Sequence, residues 1–244
     1  MNNIILIGDL MIDHYIYCNP RKINQEAPNI VFNYNRDVFK LGGAANIAKN
    51  LSNLDFNIFF MSDLGNNNDY SEKILELLKN NKICTDYLIK TNKKTTIKKR
   101  YISNQMQVFR VDNEDTNNIS NYYQDIVYNN FLNLIDNNKI KYLVVSDYNK
   151  GFITLDCLKK IITKCNLNNI QVFIDPKINK PEKYKNSYLI KPNRNEFKEL
   201  CKYYNLDYED FNNSVINISN KLNVNNLVIT KDKDETILYQ KHLN

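Results

Sequence analysis

Leu41-Gly42-Gly43-Ala44-Ala45-Asn46-Ile47-Ala48 is the stretch whose reading decides the fold. A half-polar, strand-like region runs into it, and a helix starts from it. Ala44, Ile47, Ala48, Leu51 and Leu54 recur at helical spacing and give that helix one apolar face. Paired glycine at such a junction brings bare backbone close to something else. The pair is informative because the chain has five glycines in 244 residues, where average usage gives roughly 17. Two explanations compete: contact with a polar small ligand at the helix start, and close packing of helix on sheet. In so glycine-poor a chain, ligand contact is favoured. A third glycine, in Gly8-Asp9, follows the first apolar run, and none follows Gly151.

Outward from this stretch, residues 4–7, 57–61, 142–146, 171–174, 188–190 and 226–230 read as short buried strands, with a last strand over 235–239. Helical periodicity is predicted over 69–80, 121–136, 154–166, 195–204 and 210–222. Alternation of this kind means an α/β fold with a doubly wound, mainly parallel sheet. Two half-polar, strand-like regions, 15–40 and 95–112, interrupt it and form a separate small sheet. That sheet reads as a lid over the carboxyl ends of the main strands, a contact for a second copy, or both. The whole of 1–244 reads as one domain.

An apolar share of 43% suffices for a core and argues against global disorder. The abundant Asn and Lys read as compositional drift. The net charge of +6 and pI near 8.8 are carried by dispersed lysines. They suit anionic small substrates, and nucleic acid binding is not expected, since the basic residues form no stripe. The chain has no apolar run of membrane-spanning length and a start unlike a signal peptide, so no membrane partner and a cytoplasmic location are expected. Cys18, Cys84, Cys157, Cys165 and Cys201 are widely spaced and read as reduced, packed thiols. With only His14 and His242, a zinc site or a Ser-His-Asp triad is improbable.

Polar residues gather where such sheets bind ligands, at the carboxyl ends of their strands. Asp9 and Asp13 flank Leu10-Met11-Ile12, read as a loop whose carboxylates accept from sugar hydroxyls, or as an ordinary polar loop. Thr95, Lys98 and Arg100, with Gln107, Arg110 and Asp112, make a basic ribbon suited to a sugar's phosphate group. The alternative is a solvated edge, and Lys93, Lys94 and Lys99 read that way. Asn193-Arg194-Asn195-Glu196 has the spacing of a helix capping box, and its place after Lys191-Pro192 leaves a nucleotide role open.

Taken in order, these segments resemble the ribokinase-like (PfkB) sugar kinases, and more specifically the heptose-7-phosphate kinase domains of ADP-heptose synthesis. The resemblance rests on Gly8-Asp9-Leu10-Met11-Ile12-Asp13, Ile23-Asn24-Gln25-Glu26-Ala27-Pro28 and Gly42-Gly43-Ala44-Ala45-Asn46. Phe109-Arg110-Val111-Asp112, Ser146-Asp147-Tyr148-Asn149-Lys150-Gly151, Asp175-Pro176-Lys177 and Lys191-Pro192-Asn193-Arg194-Asn195-Glu196-Phe197 continue it. It implies a ribokinase-like fold and ATP-dependent phosphorylation of a sugar phosphate, at the anomeric hydroxyl of D-glycero-D-manno-heptose 7-phosphate. By the same resemblance Asp13, Gly42, Gly43, Asn46 and Asp147 hold the sugar, while Lys98, Arg100 and Arg110 bear on its phosphate. Lys177, Asn193, Arg194, Asn195, Glu196 and Thr230 serve ATP, with Glu196 also directed to magnesium.

The family's catalytic base is an Asp in a Gly-Ala-Gly-Asp segment at a helix N-terminus. This sequence stops at Asn244 before such a segment, so the base is expected beyond Asn244 and the domain is expected to be C-terminally incomplete. Thr230-Lys231-Asp232-Lys233-Asp234-Glu235 also carries carboxylates where relatives carry glycines, which repel ATP unless compensated. Apolar surface around Leu227, Val228 and Ile229 is expected to lie uncovered. Two readings follow: a kinase completed by a segment on a partner chain or beyond this sequence, and a non-catalytic sugar-phosphate-binding or interaction protein.

Overall fold

Alternation along the first strand sets up the two layers of the fold. A computed structural model describes residues 3–231 and 235–241. The chain runs β1 (Asn3–Gly8), β2 (Leu10–Ile23), β3 (Ile30–Gly43), α1 (Ala44–Ser52), β4 (Asn57–Asp63), α2 (Asn68–Asn80), β5 (Leu88–Ile89), β6 (Ile97–Ser103) and β7 (Met106–Asn113). It continues α3 (Asn121–Asn137), β8 (Ile140–Ser146), α4 (Leu155–Leu167), β9 (Gln171–Asp175), a 3-10 turn (Pro181–Tyr184), β10 (Leu189–Ile190), α5 (Arg194–Tyr203), α6 (Phe211–Leu222), β11 (Asn226–Thr230) and β12 (Thr236–Gln240). Ile5 and Ile7 of β1 enter one apolar cluster with Val127, Phe131 and Leu134 of α3 and Leu158 and Ile161 of α4. Leu6 points the other way, into a second cluster with Ala44, Ala45 and Ala48 of α1 and Ile74 and Leu78 of α2. Helices therefore cover both faces of the sheet.

Eight strands form that sheet in the order β12-β11-β10-β9-β8-β1-β4-β5. Every pairing is parallel except β11 with β12. The doubly wound, mainly parallel α/β architecture is the one the alternation predicts. A second sheet, β3-β2-β6-β7, carries the half-polar regions. Its strands are longer at the root than the sequence suggests. Leu10-Met11-Ile12 is no loop; it is the buried start of β2, paired with Gly43, Gly42 and Leu41. Further out the sheet is solvated, with Ile30, Tyr34, Met106 and Phe109 exposed.

One expectation about surfaces is corrected. Leu227 and Ile229 are buried, because β12 pairs along β11 and α5 and α6 pack on it. The apolar side chains left exposed there are Leu238 on β12 and Ile216 on α6. Asparagine abundance also has a structural use. Asn104, Asn149, Asn169, Asn186, Asn205 and Asn223 all have positive φ. Asparagine tolerates the left-handed region because its short amide bonds locally, so it supplies turns that glycine commonly supplies elsewhere. Among the described residues no helix is long and apolar enough to cross a membrane.

Candidate active site

Parallel register lines up the carboxyl ends of the central strands along one rim. Gly8 pairs with Ser146, Ser146 with Asp175, and Ile174 with Ile190. An isolated bridge then joins Asn193 to Thr230. The rim thus reads Asp9, Asp147, Asp175 with Lys177, Lys191 with Asn193, and Thr230. The small sheet rises from its β1 end, because β2 leaves β1 after a single residue and β3 runs directly into α1.

At the root of that sheet, Asp13 of β2 receives Arg100 of β6, with Nε 2.8 Å and Nη2 2.7 Å from Oδ1. Arg100 also donates to Gln107 at 3.1 Å. Gly42 lies beneath the carboxylate: a Cβ there would come 2.6 Å from Asp13 Oδ2 and 2.9 Å from Met11 Cγ. Gly43 has φ +54°, and its missing Cβ would meet the Asp9 carbonyl at 2.6 Å. Close packing by the protein itself thus accounts for both glycines. Asn46 is exposed on the first turn of α1. The basic ribbon forms as expected, but in ion pairs. Lys98 meets Asp112 at 3.1 Å, Arg110 meets Asp112 at 2.8 Å, and Lys150 meets Glu114 at 2.8 Å.

Asp9 and Asp147 turn out to be anchors. Asp9 accepts the N–H groups of Tyr148, Lys150 and Phe152 at 2.8, 3.1 and 3.3 Å, so it holds the loop after β8 against the end of β1. Burial, with Asp147 nearby, pushes its carboxyl up to about 6 despite those three donors. The Asp147 side chain is 0% exposed and paired with Lys183, itself 5% exposed. Tyr184 donates to the same carboxylate oxygen at 2.7 Å. The other Asp147 oxygen accepts from the Asn149 N–H at 2.7 Å, so the structure leaves Asp147 no free face for a sugar. Lys93 is also not the solvated lysine expected of it. Half-buried, it donates to the carbonyls of Asn117 and Lys150, and burial lowers its ammonium against the pull of Asp115, Asp63 and Asp9.

Farther along the rim, the capping box predicted at α5 is present. Asn193 Oδ1 accepts from Glu196 N–H at 3.0 Å, and Glu196 Oε2 accepts from Asn193 N–H at 2.9 Å. Burial raises the Glu196 carboxyl, and Asp175 adds to the rise, against the Asn193 N–H, Lys177 and Lys191. Lys191 pairs with Asp175 at 2.8 Å, beside the residues expected to serve ATP, and both lie at strand ends where the sequence gathers polar residues. Lys177 and Asn195 are exposed, Thr230 is half-buried, and Arg194 donates to Tyr208 at 3.4 Å. Asp175 and Glu196 offer hard oxygen donors, yet among the described residues no three acidic, His or Cys side chains converge as a metal site. That donor set fits magnesium held chiefly by nucleotide phosphates, with one or two carboxylates assisting. Asp232 and Asp234, whose carboxylates were expected to repel ATP, lie outside the described residues, as does Lys233.

Known proteins bear out the architecture. The bifunctional protein HldE of Aliarcobacter butzleri is 34% identical over 247 residues, covering 99% of this chain and 50% of that protein. HldE of Campylobacter jejuni subsp. doylei is 32% identical, covering 98% and 50% respectively. The chain thus spans half the length of these curated relatives. Among solved structures, Escherichia coli phosphofructokinase-2 in complex with fructose-6-phosphate superposes with a TM-score of 0.73 at 15% identity, covering 99% of this chain and 78% of that one. Arabidopsis thaliana ribokinase complexed with ribose and ATP gives 0.68 at 15% identity, covering 99% and 76%. At such identities these likenesses show the fold alone, which is ribokinase-like. The pfkB family carbohydrate kinase pattern matches residues 1–244. With the rim and the projecting sheet in place, the match is decisive, and the chain belongs to the pfkB family of carbohydrate kinases.

Proposed function

We propose that this chain forms the sugar- and nucleotide-holding part of a kinase that phosphorylates a sugar phosphate from ATP. The substrate proposed is D-glycero-D-manno-heptose 7-phosphate, reacting at its anomeric hydroxyl, in keeping with relatives named HldE. The observation that supports the reading is the Asp13–Arg100 pair at the root of the small sheet, which rises beside the rim that carries Asp175, Lys177, Lys191 and Glu196. In this arrangement Asp13 and Asn46 hold hydroxyls, and backbone at Gly42 and Gly43 lies close beneath. Lys98 and Arg110 turn from Asp112 to the sugar's phosphate, and Arg100 bears on that phosphate from its place against Asp13. Lys177, Asn193, Arg194, Asn195, Glu196 and Thr230 hold ATP, and Asp147 positions the loop between the two halves. Magnesium, when bound with ATP, offsets charge on its phosphates.

The proton-accepting base is proposed to lie outside residues 1–244. The carboxylates of the rim and of the sheet root already have partners: Asp9 three N–H groups, Asp13 Arg100, Asp147 Lys183 and Tyr184, and Asp175 Lys191. The same observation supports the second reading, a binding protein without turnover. A second copy is proposed to meet the chain through the outer part of the small sheet, where Tyr34, Val108 and Val111 are exposed.

The test is calorimetric titration of the purified chain with the heptose phosphate, beside an ADP-release assay with ATP and magnesium. Saturable binding with negligible ADP release is expected. Absence of binding overturns the sugar-phosphate reading; robust sugar-dependent ADP release overturns the placement of the base.

A further inference from the structure

His14 sits next to Asp13 on β2, and successive strand residues point to opposite faces. Asp13 faces Arg100, whereas His14 faces helix α2 of the main body. Its Nε2 is 2.8 Å from Asp37 Oδ2 on β3, and its Nδ1 is 3.0 Å from the Tyr70 hydroxyl on α2. The ring stacks on Phe39 of β3 at 4.2 Å and meets Tyr70 edge-on at 5.8 Å. Cations surround the cluster on its other elements: Lys73 of α2 lies over the Phe39 ring at 5.7 Å, and Lys99 of β6 lies over the Tyr70 ring at 5.8 Å. Closer to the main sheet, Leu10, Ile12 and Leu41 also pack into the apolar cluster of α1 and α2, and beyond His14 the two strands run out into solvent.

We propose that His14, with Tyr70 and Asp37, is a latch that ties the root of the small sheet to α2 and so positions the Asp13 carboxylate over the sugar site. The inference rests on the reading of Asp13 as a sugar ligand. Both ring nitrogens are engaged in either charge state. A neutral ring donates from Nε2 to Asp37 and accepts at Nδ1 from Tyr70; a protonated ring donates to both oxygens. The latch needs three elements at once, and one hydroxyl can be removed from it without disturbing the stacked rings. His14, Tyr70 and Asp37 touch no reacting atom; they act through the backbone of β2, one residue from Asp13.

Tyr70→Phe is the variant of choice, because it deletes that hydroxyl and keeps the aromatic packing. Three readouts are compared with wild type: affinity for the heptose phosphate, amide hydrogen exchange over residues 11–15, and thermal stability. The expected result is affinity about tenfold weaker and faster exchange over 11–15, with little change in melting temperature. The double variant Tyr70→Phe/Asp13→Asn should bind no worse than Asp13→Asn alone, since both changes act on one carboxylate. Asp37→Asn, which keeps an acceptor for the imidazole, should retain most of the affinity. Wild-type affinity in Tyr70→Phe, or losses that add in the double variant, would overturn the proposal. If wild type itself fails to bind the sugar phosphate, the reading of Asp13 falls. Exchange then decides the latch alone, and unchanged exchange over 11–15 in Tyr70→Phe overturns it.

Discussion

Arg100 converges with two nitrogens on a single oxygen of Asp13, Nε at 2.8 Å and Nη2 at 2.7 Å from Oδ1. The carboxylate's second oxygen lies over Gly42, where only a hydrogen fits. Asp13 is thus fixed from both sides, which is the preorganisation that the proposed sugar-binding role would need.

Replacing Asp13 with Asn should weaken sugar-phosphate binding roughly 10- to 100-fold, the cost of about 1.5–3 kcal/mol for a hydrogen bond to a charged group. Titration calorimetry measures it, and unaltered affinity would remove Asp13 from the site.

Gly42→Ala places a methyl group 2.6 Å from Asp13 Oδ2 and 2.9 Å from Met11 Cγ. Overpacking of this kind costs about 1–3 kcal/mol, so a lower urea midpoint is expected. Removing the carboxylate in Gly42→Ala/Asp13→Ala should recover part of that loss. Equal stabilities of Gly42→Ala and wild type would show that the junction has more room than the packing implies.

Behind the rim, Lys183 and Tyr184 both converge on the buried Asp147 carboxylate. Lys183→Met leaves that charge unpaired and should cost about 3–5 kcal/mol. Tyr184→Phe, which removes one bond only, should cost about 1–2 kcal/mol. Chemical denaturation compares the two, and a milder effect for the lysine variant would contradict the assignment of Asp147 as a buried, charged anchor.

Asp9 makes folding stability depend on pH in a stated direction. Its carboxyl is raised from 3.8 to about 6, so the folded chain binds the proton more tightly than the unfolded chain. Its contribution is therefore fullest below the unfolded value and is lost as pH rises through about 6. From about pH 8 to about pH 4, wild type should gain ~2–3 kcal/mol relative to Asp9→Asn. Denaturation of both proteins at the two pH values measures it; a constant difference would mean that Asp9 titrates normally.

Much of this was legible in the sequence, and the exceptions share a cause. Helical spacing from Ala44 carries a strong periodic signal, the apolar run 142–146 is long enough to read as a buried strand, and those elements form as read. Asp13 and Arg100 were both singled out, although their pairing across β2 and β6 has no local signature. Leu10-Met11-Ile12 was mistaken for loop because a continuous apolar triplet lacks period. The two-residue strand β5 and the turn Pro181–Tyr184 are too short to show one. That turn delivers Lys183 and Tyr184, so the burial of Asp147 depended on contacts 36 and 37 residues away in sequence. A Lys-Tyr pair after a proline was the only clue, and it is a weak one.

The left-handed asparagines have a consequence at the level of the coding sequence. Glycine is specified only by codons beginning with two guanines, whereas asparagine codons begin with two adenines. Turns at Asn104, Asn149, Asn169, Asn186, Asn205 and Asn223 place asparagine where a guanine-rich gene would write glycine. Only where a neighbour occupies the Cβ position, as Asp13 does above Gly42, does packing hold the codon against that substitution. The fold can therefore be written in an adenine- and thymine-rich gene with its backbone course intact.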